Sequence, residues 1–434
     1  ENCDLIFTSV IFLNDSMSIC DCLVSIKNNS YIYNNSTEFY NDITWKKINI
    51  FKTNVLKYHG KDFKVMHNYY KLFDLYQLEI TKSYINHNWI NNKTYTSLKA
   101  PIGICNGEIF ELDLNEKVHG PHILIGSTTG GGKSEAIITI LYSLAIKYSS
   151  RYFQFAIIDF KGGGLADAFK LAQKVLPHCV GSLTNLDNSE MERLIVSFEN
   201  ESKRRQHLFS KMVSISKQSP MDIGKYQKLV DNGIALPQLA HLLYVIDEFA
   251  ELKMIEPNFV NELIRIARTG RSLGIHLILS TQKPASVVDG QIWANSNTRI
   301  CLKVQDRQDS MEMIGSDKGA FLKYPGQFYL FNNQRLIEGQ IALTSSTYSY
   351  EDKTTIRILT TDLQNEKNNE DKGLSLITTL LNMMATTNEN PQRLWQQSLK
   401  NENCHLNSIQ RYQIGTIDDI SNNSQYPFIY EYHK

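Results

Sequence analysis

The chain has 434 residues, too many for one small core, so two or three structural units are expected. Lys plus Arg and Asp plus Glu each number 45, and the zero formal net charge excludes a global basic footprint for nucleic acid. The seven cysteines are scattered with no Cys-x-x-Cys pair, which favours reduced thiols, and no apolar run approaches the ~18 residues that span a bilayer.

Residues 1–97 are rich in Asn, Tyr and Ser and carry no chemical motif. They read as a small supporting α+β region, with strands near 5–10, 22–26 and 31–33 and one or two helices within 65–80. From residue 98 the pattern tightens. Apolar runs at 102–104 and 109–114 flank Asn106-Gly107, a hairpin signal. Strands are then expected at 122–125, 152–159, 242–247, 275–280 and 298–304. Helices are expected at 134–148, 190–212 and 257–269. This alternation predicts an α/β unit over 98–345, with a mostly parallel central sheet sandwiched by helices. Residues 346–390 read as a polar linker with a short helix near 374–384. Residues 391–434 read as the start of another unit. With no secretory signal and no initiator Met, the chain is expected to be a soluble piece of something larger.

The richest local signal follows the strand at 122–125. Gly126-Ser127-Thr128-Thr129-Gly130-Gly131-Gly132-Lys133-Ser134-Glu135 is a phosphate-binding loop opening a helix. Its first glycine position holds Ser127, with Gly126 one place early. N–H groups of residues 127–135 and the helix N-terminus suit phosphate oxygens. Lys133 is placed for the β/γ-phosphates and Ser134 for Mg²⁺, so a nucleoside triphosphate such as ATP is the expected ligand.

The strand at 242–247 ends in Asp247-Glu248. Asp247 fits a residue that holds Mg²⁺ together with Ser134, and Glu248 fits a general base for the attacking water. The competing account is a charge pair at a helix N-terminus. Gln282, at the end of the next apolar strand, either orients water near the γ-phosphate or caps a strand end. Arg268 and Arg271 precede that strand. They suit either a neighbour's γ-phosphate or the C-terminal end of a helix dipole. Asp159-Phe-Lys-Gly-Gly-Gly164 reads as a tight turn near the nucleotide. The basic run Lys203-Arg-Arg-Gln-His207 reads as a solvated helix face.

Four blocks together, HGPHILIGSTTGGGKSE, IIDFKGGG with LPHCVGSLTNLD, HLLYVIDEFAELK and ARTGRSLGIHLILSTQKPASVVDGQIWANSNTRICLKVQDRQDSMEMI, resemble the FtsK/SpoIIIE-like branch of additional-strand, RecA-like P-loop ATPases. Within it they are most similar to the EssC/EccC-type ATPases of type VII secretion systems. The likeness covers about residues 98–345, and residues 391–434 resemble the lead-in to a further ATPase module. The resemblance implies a bacterial, membrane-anchored motor at the cytoplasmic face. It implies hexameric rings in which Arg271 completes a neighbour's site, other type VII secretion components as partners, and export of small WXG-type helical hairpins. It further implies a first module held in check by linker contacts. This chain departs at Ser127, where the family has glycine. If that position required φ > 0, serine would cost about 1 kcal/mol.

The leading reading is thus an ATP-hydrolysing, Mg²⁺-dependent motor module for protein export, with no nucleic acid as partner. A DNA translocase of the same superfamily is the alternative, which the zero net charge disfavours. A nucleotide-binding regulatory or docking module with little hydrolysis is the third, and Ser127 is its support.

Overall fold

The computed structural model describes residues 3–10, 20–27, 30–33, 70–76, 79–159, 164–171, 174–184, 188–251, 257–283, 296–348, 374–385, 393–395, 411–419 and 424–431. The chain divides into two units, residues 1–68 with 349–373, and residues 69–348 with 374–434. In the first, strands β1 (Cys3–Val10), β2 (Cys20–Lys27) and β3 (Ser30–Tyr33) form an antiparallel sheet, as the apolar runs predicted.

The second unit opens with a 3₁₀ turn at Leu72–Leu75 and helix α1 (Lys82–Asn91). Thr81 caps α1 by accepting from the N–H of Tyr84. The unit therefore starts well before residue 98. The physical reason is burial: Trp89 of α1 donates its indole N–H to Ala145 O at 2.8 Å, and Ile85 is sealed in the same core. Then come β4 (Lys99–Cys105) and β5 (Glu108–Asp113), joined at Asn106 and Gly107, both with positive φ. They are followed by β6 (His122–Gly126), α2 (Lys133–Lys147), β7 (Phe153–Asp159), β8 (Cys179–Thr184), α3 (Asn188–Ser216), α4 (Ile223–Asp231) and β9 (His241–Asp247). Next are α5 (Pro257–Leu273), β10 (Ile275–Thr281), β11 (Thr298–Cys301), α6 (Arg307–Ile314), β12 (Gln327–Asn332) and β13 (Arg335–Ile341). Helix α7 (Leu376–Met384) and a hairpin of β14 (Arg411–Asp419) and β15 (Ser424–Glu431) close the described chain.

One ten-stranded sheet runs β8-β7-β9-β10-β6-β11-β12-β13-β4-β5. From β8 to β11 every pairing is parallel, and from β11 to β5 every pairing is antiparallel. Strand β10 lies between β6, which feeds the glycine-rich loop, and β9, which ends in Asp247. That inserted strand is the additional strand of the expected fold class.

The central strands are buried on both faces, which is why they read as continuous apolar runs. Along β9, Leu243 and Val245 enter the core beneath α1, α2 and α7. Leu242, Tyr244 and Ile246 enter the core beneath α3 and α5. Period-2 alternation thus supplies two cores from one strand. Parallel strands place all their carboxyl ends on one edge of the sheet, where ligand sites of such folds lie. Among the described residues, no helix is long and apolar enough to cross a membrane.

Candidate nucleotide site

At that carboxyl edge the loop between β6 and α2 is pinned from two sides. The N–H of Ser127 donates to Thr281 O at 3.1 Å, and the N–H of Thr128 to Lys303 O at 2.7 Å. Gly131 O accepts from the N–H of Gly326 at 3.0 Å. Glycine freedom is used at Gly130 (φ 78°) and Gly132 (φ 97°), where L side chains are strained. Gly132 has a second constraint, since a Cβ there would lie 2.7 Å from the Gly326 nitrogen. Thr129, Gly130 and Ser134 are exposed at the mouth of the loop. Among the described residues, the N–H groups of Gly130, Gly132, Lys133 and Ser134 have no acceptor in the protein. These are the orphan donors that suit an anion at a helix N-terminus.

Ser127 is not strained. It is absent from the positive-φ residues, so the 1 kcal/mol backbone cost does not arise. Its side chain is fully buried and donates to Thr128 O at 3.0 Å. A Cβ on Gly131 would fall 2.3 Å from Ser127 Oγ. Gly131 also lacks positive φ, so what it supplies is space, and positions 127 and 131 share room for one side chain. Gly131→Ala should therefore weaken nucleotide binding about tenfold, and adding Ser127→Gly should restore part of it, since that Cβ would still lie 3.1 Å from Lys303 O and 3.2 Å from Thr128 O. Calorimetric titration of both variants with ATP checks this. Equal affinities for the single and double variants would refute the shared space.

Lys133 and the two carboxylates meet across the loop. Lys133 Nζ lies 2.8 Å from Asp247 Oδ1 and 3.2 Å from Glu248 Oε2, and all three residues are buried. A cation flanked by two carboxylates meets the requirement that buried charges be paired. Asp247 Oδ1 also accepts from Ser280 Oγ at 2.5 Å and from the N–H of Glu248 at 3.1 Å. Glu248 has φ 55°, a left-handed conformation that costs a non-glycine residue roughly 1–3 kcal/mol and that clusters at functional sites. The turn carries Glu248 back over the sheet edge, where its Oε1 accepts from the N–H of Gln282 at 3.2 Å. Gln282 Oε1 in turn accepts from Thr129 Oγ1 at 3.1 Å. The end of β10 thus touches the loop, Asp247 and Glu248 in three consecutive residues, Ser280, Thr281 and Gln282.

Glu135 serves elsewhere. Its Oε1 accepts from the N–H groups of Thr344 and Ser345, the latter at 2.8 Å, and ties the first turn of α2 to the chain leaving β13. Arg271 is not brought to this site. It sits in the last turn of α5, four residues before β10 begins, and β10 runs roughly 20 Å from that edge to the loop. There it is exposed and bonded to Glu116, whose carboxyl it holds below the ordinary range. The helix end is anchored by Arg205, which donates to Leu273 O at 2.7 Å and pairs with Glu201 at 2.7 Å. Burial alone would raise the Glu201 carboxyl, but Arg205 and Arg204 outweigh it and hold it low. Of the basic run at 203–207, only part is therefore a solvated face: Arg205 is fully buried. Arg268 is exposed on the same helix. Of the turn ending in Gly164, Phe160 to Gly163 lie outside the described residues.

The FtsK/SpoIIIE family profile matches residues 80–286, which include the loop, Asp247, Glu248 and Gln282. Residues 80–286 are an FtsK/SpoIIIE domain. The type VII secretion system protein EssC of Staphylococcus aureus (strain NCTC 8325 / PS 47) is 44% identical over 276 residues, 63% of this chain and 18% of EssC. The ESX secretion system protein EccC of Geobacillus thermodenitrificans (strain NG80-2) is 44% identical over 249 residues, 57% of this chain and 16% of that protein. The chain thus spans less than a fifth of these relatives. The cytoplasmic domain of the Thermomonospora curvata type VII secretion ATPase EccC superposes with a TM-score of 0.66 at 24% identity, over 84% of this chain and 42% of that one. The T. curvata EccC structure of ATPases 2 and 3 in complex with a signal sequence peptide gives 0.53 at 19% identity, over 76% and 55%. At these identities the structural likeness speaks to the fold, and it places the FtsK/SpoIIIE domain on the P-loop ATPase scaffold.

Proposed function

We propose that this chain is an ATP-hydrolysing motor module of a membrane-anchored type VII secretion ATPase. Its proposed cargo is small WXG-type helical-hairpin proteins, and its partners are copies of itself in a hexameric ring and other type VII secretion components. The observation that carries the reading is the gathering of Lys133, Asp247, Glu248 and Gln282 around one glycine-rich loop, with β10 inserted between β6 and β9. The residues present fit Mg²⁺: Asp247 offers a hard oxygen, Oδ2, with no partner in the protein among the described residues, and Ser134 is exposed across the loop. When bound, the metal would neutralise phosphate oxygens. Lys133 would leave its carboxylates for the phosphates, Glu248 would take the proton of the attacking water, and Gln282 would orient that water.

Arg271 would act on a neighbour, because its own loop lies at the far end of β10. The zero net charge supports a protein cargo over DNA. One further contact bears on control. Leu394 donates its N–H to Val180 O on the edge strand β8 at 3.0 Å, and Trp395 covers Gly181. This contact from the segment that follows the linker favours a module whose activity is restrained in the resting chain.

Turnover measured against protein concentration tests the reading, and it should rise more steeply than linearly as rings assemble. Arg271→Ala should lose on the order of 10³-fold in turnover while still binding ATP. Mixing it with Glu248→Gln, itself inactive, should restore part of the activity, since intact arginines then reach intact bases. Turnover linear in concentration, with no recovery on mixing, would remove the trans assignment.

A further inference from the structure

Strand β10 reads Ile275-His-Leu-Ile-Leu-Ser-Thr281, and after three apolar residues its penultimate residue puts a hydroxyl into the sheet interior beside the site. Ser280 has no solvent exposure. A buried hydroxyl costs a few kcal/mol unless it is hydrogen-bonded, so its partner explains its presence. Two acceptors are in range, Asp247 Oδ1 at 2.5 Å and Ile246 O at 3.4 Å. One proton serves one strong bond, and the ionised carboxylate at the shorter distance is the stronger acceptor.

The donors around Asp247 are unevenly divided. Oδ1 accepts from the Ser280 hydroxyl and the N–H of Glu248 and forms an ion pair with the Lys133 ammonium. Oδ2 takes none among the described residues. A lysine drawn toward phosphates deserts Oδ1, and the carboxylate then has only Ser280 and one backbone N–H to fix its rotation. Without Ser280, the side chain can turn about its terminal torsion, which is soft.

We infer that Ser280 is a positioning residue for the metal-binding carboxylate: its hydroxyl commits Oδ1 of Asp247 to the protein and so reserves Oδ2 for Mg²⁺. This rests on the nucleotide-site reading above. It predicts that Ser280 governs how much Mg²⁺ strengthens nucleotide binding, and leaves metal-free binding alone. Partners that orient metal ligands typically contribute 10–100-fold in metal affinity.

The test titrates the full chain with a fluorescent ATP analogue, once with EDTA and once with Mg²⁺. Thermal midpoints are recorded alongside. In the unmodified chain Mg²⁺ should tighten binding. In Ser280→Ala that gain should shrink about tenfold while the EDTA affinity stays unchanged. Ser280→Thr, which keeps the hydroxyl, should retain the gain; if its bulk lowers the midpoint, the Ala variant decides alone. An unchanged Mg²⁺ gain in Ser280→Ala overturns the inference. So does an equal loss with and without metal, the mark of a merely structural residue. If the unmodified chain binds the analogue without any Mg²⁺ gain, the metal reading of the whole site falls, and this inference with it.

Discussion

Glu248→Gln is expected to bind ATP at least as tightly as the unmodified chain and to lose about 10²–10⁴-fold in turnover, the usual contribution of a positioned general base. The two effects have separate physical origins. Turnover is lost because an amide cannot accept the proton of the attacking water. Binding survives because the contact that places this side chain, the N–H of Gln282 to Oε1, needs only a carbonyl-type oxygen, which glutamine retains. Binding gains because Lys133 is held in the empty site by two buried carboxylates, and removing one charge weakens that hold. The gain should be largest without Mg²⁺, where Lys133 is the main cation available to the phosphates. Calorimetry in EDTA and single-turnover hydrolysis in Mg²⁺ measure the two halves independently. A variant that turns over ATP at an undiminished rate removes Glu248 as the base, and a variant that no longer binds ATP removes the Lys133 argument.

What could be read from the chain alone was what depends on short local patterns. The loop was legible because glycines followed by Lys133-Ser134 answer a fixed chemical need. Strands β9 and β10 were legible because strands buried on both faces must be apolar throughout. The hairpin of β12 and β13 was not. Its turn uses Asn333 (φ 47°) and Gln334 (φ 63°), so the glycine that usually marks such a turn is missing. Strand β8 was hidden by Gly181 and by its irregular burial at the sheet edge, where Val180 and Leu183 are its buried residues. Helix α5 extends past the expected end at 269, so Arg271 lies within its last turn. Within the site, Ser280 passed as part of an apolar strand. The signal was there: a buried hydroxyl in such a strand demands a partner. The exchange between Ser127 and Gly131 was beyond reach, because it depends on the curled loop bringing positions four apart into one space.

Lys133→Ala is expected to abolish ATP binding and, separately, to destabilise the empty protein. The first effect follows from losing the cation that reaches the phosphates. The second follows from what the lysine touches when no phosphate is present. Asp247 and Glu248 are each less than a tenth exposed and share Lys133 Nζ as a common partner. Removing one member of a buried ion pair costs about 3–5 kcal/mol, because a charge is left without compensation. Here two carboxylates lose their shared cation, and one of them already sits on a strained left-handed turn. The loss is moderated because Asp247 keeps the Ser280 hydroxyl and Glu248 keeps the Gln282 N–H. Adding Glu248→Gln to Lys133→Ala removes one of the two uncompensated charges. The double variant should therefore recover part of the lost thermal stability while remaining unable to bind ATP. Recovery of stability without recovery of binding shows that Lys133 has two roles, as a structural counter-ion in the empty site and as a phosphate ligand in the filled one. A Lys133→Ala protein with an unchanged melting temperature would deny the first role, and one that binds ATP tightly would deny the second.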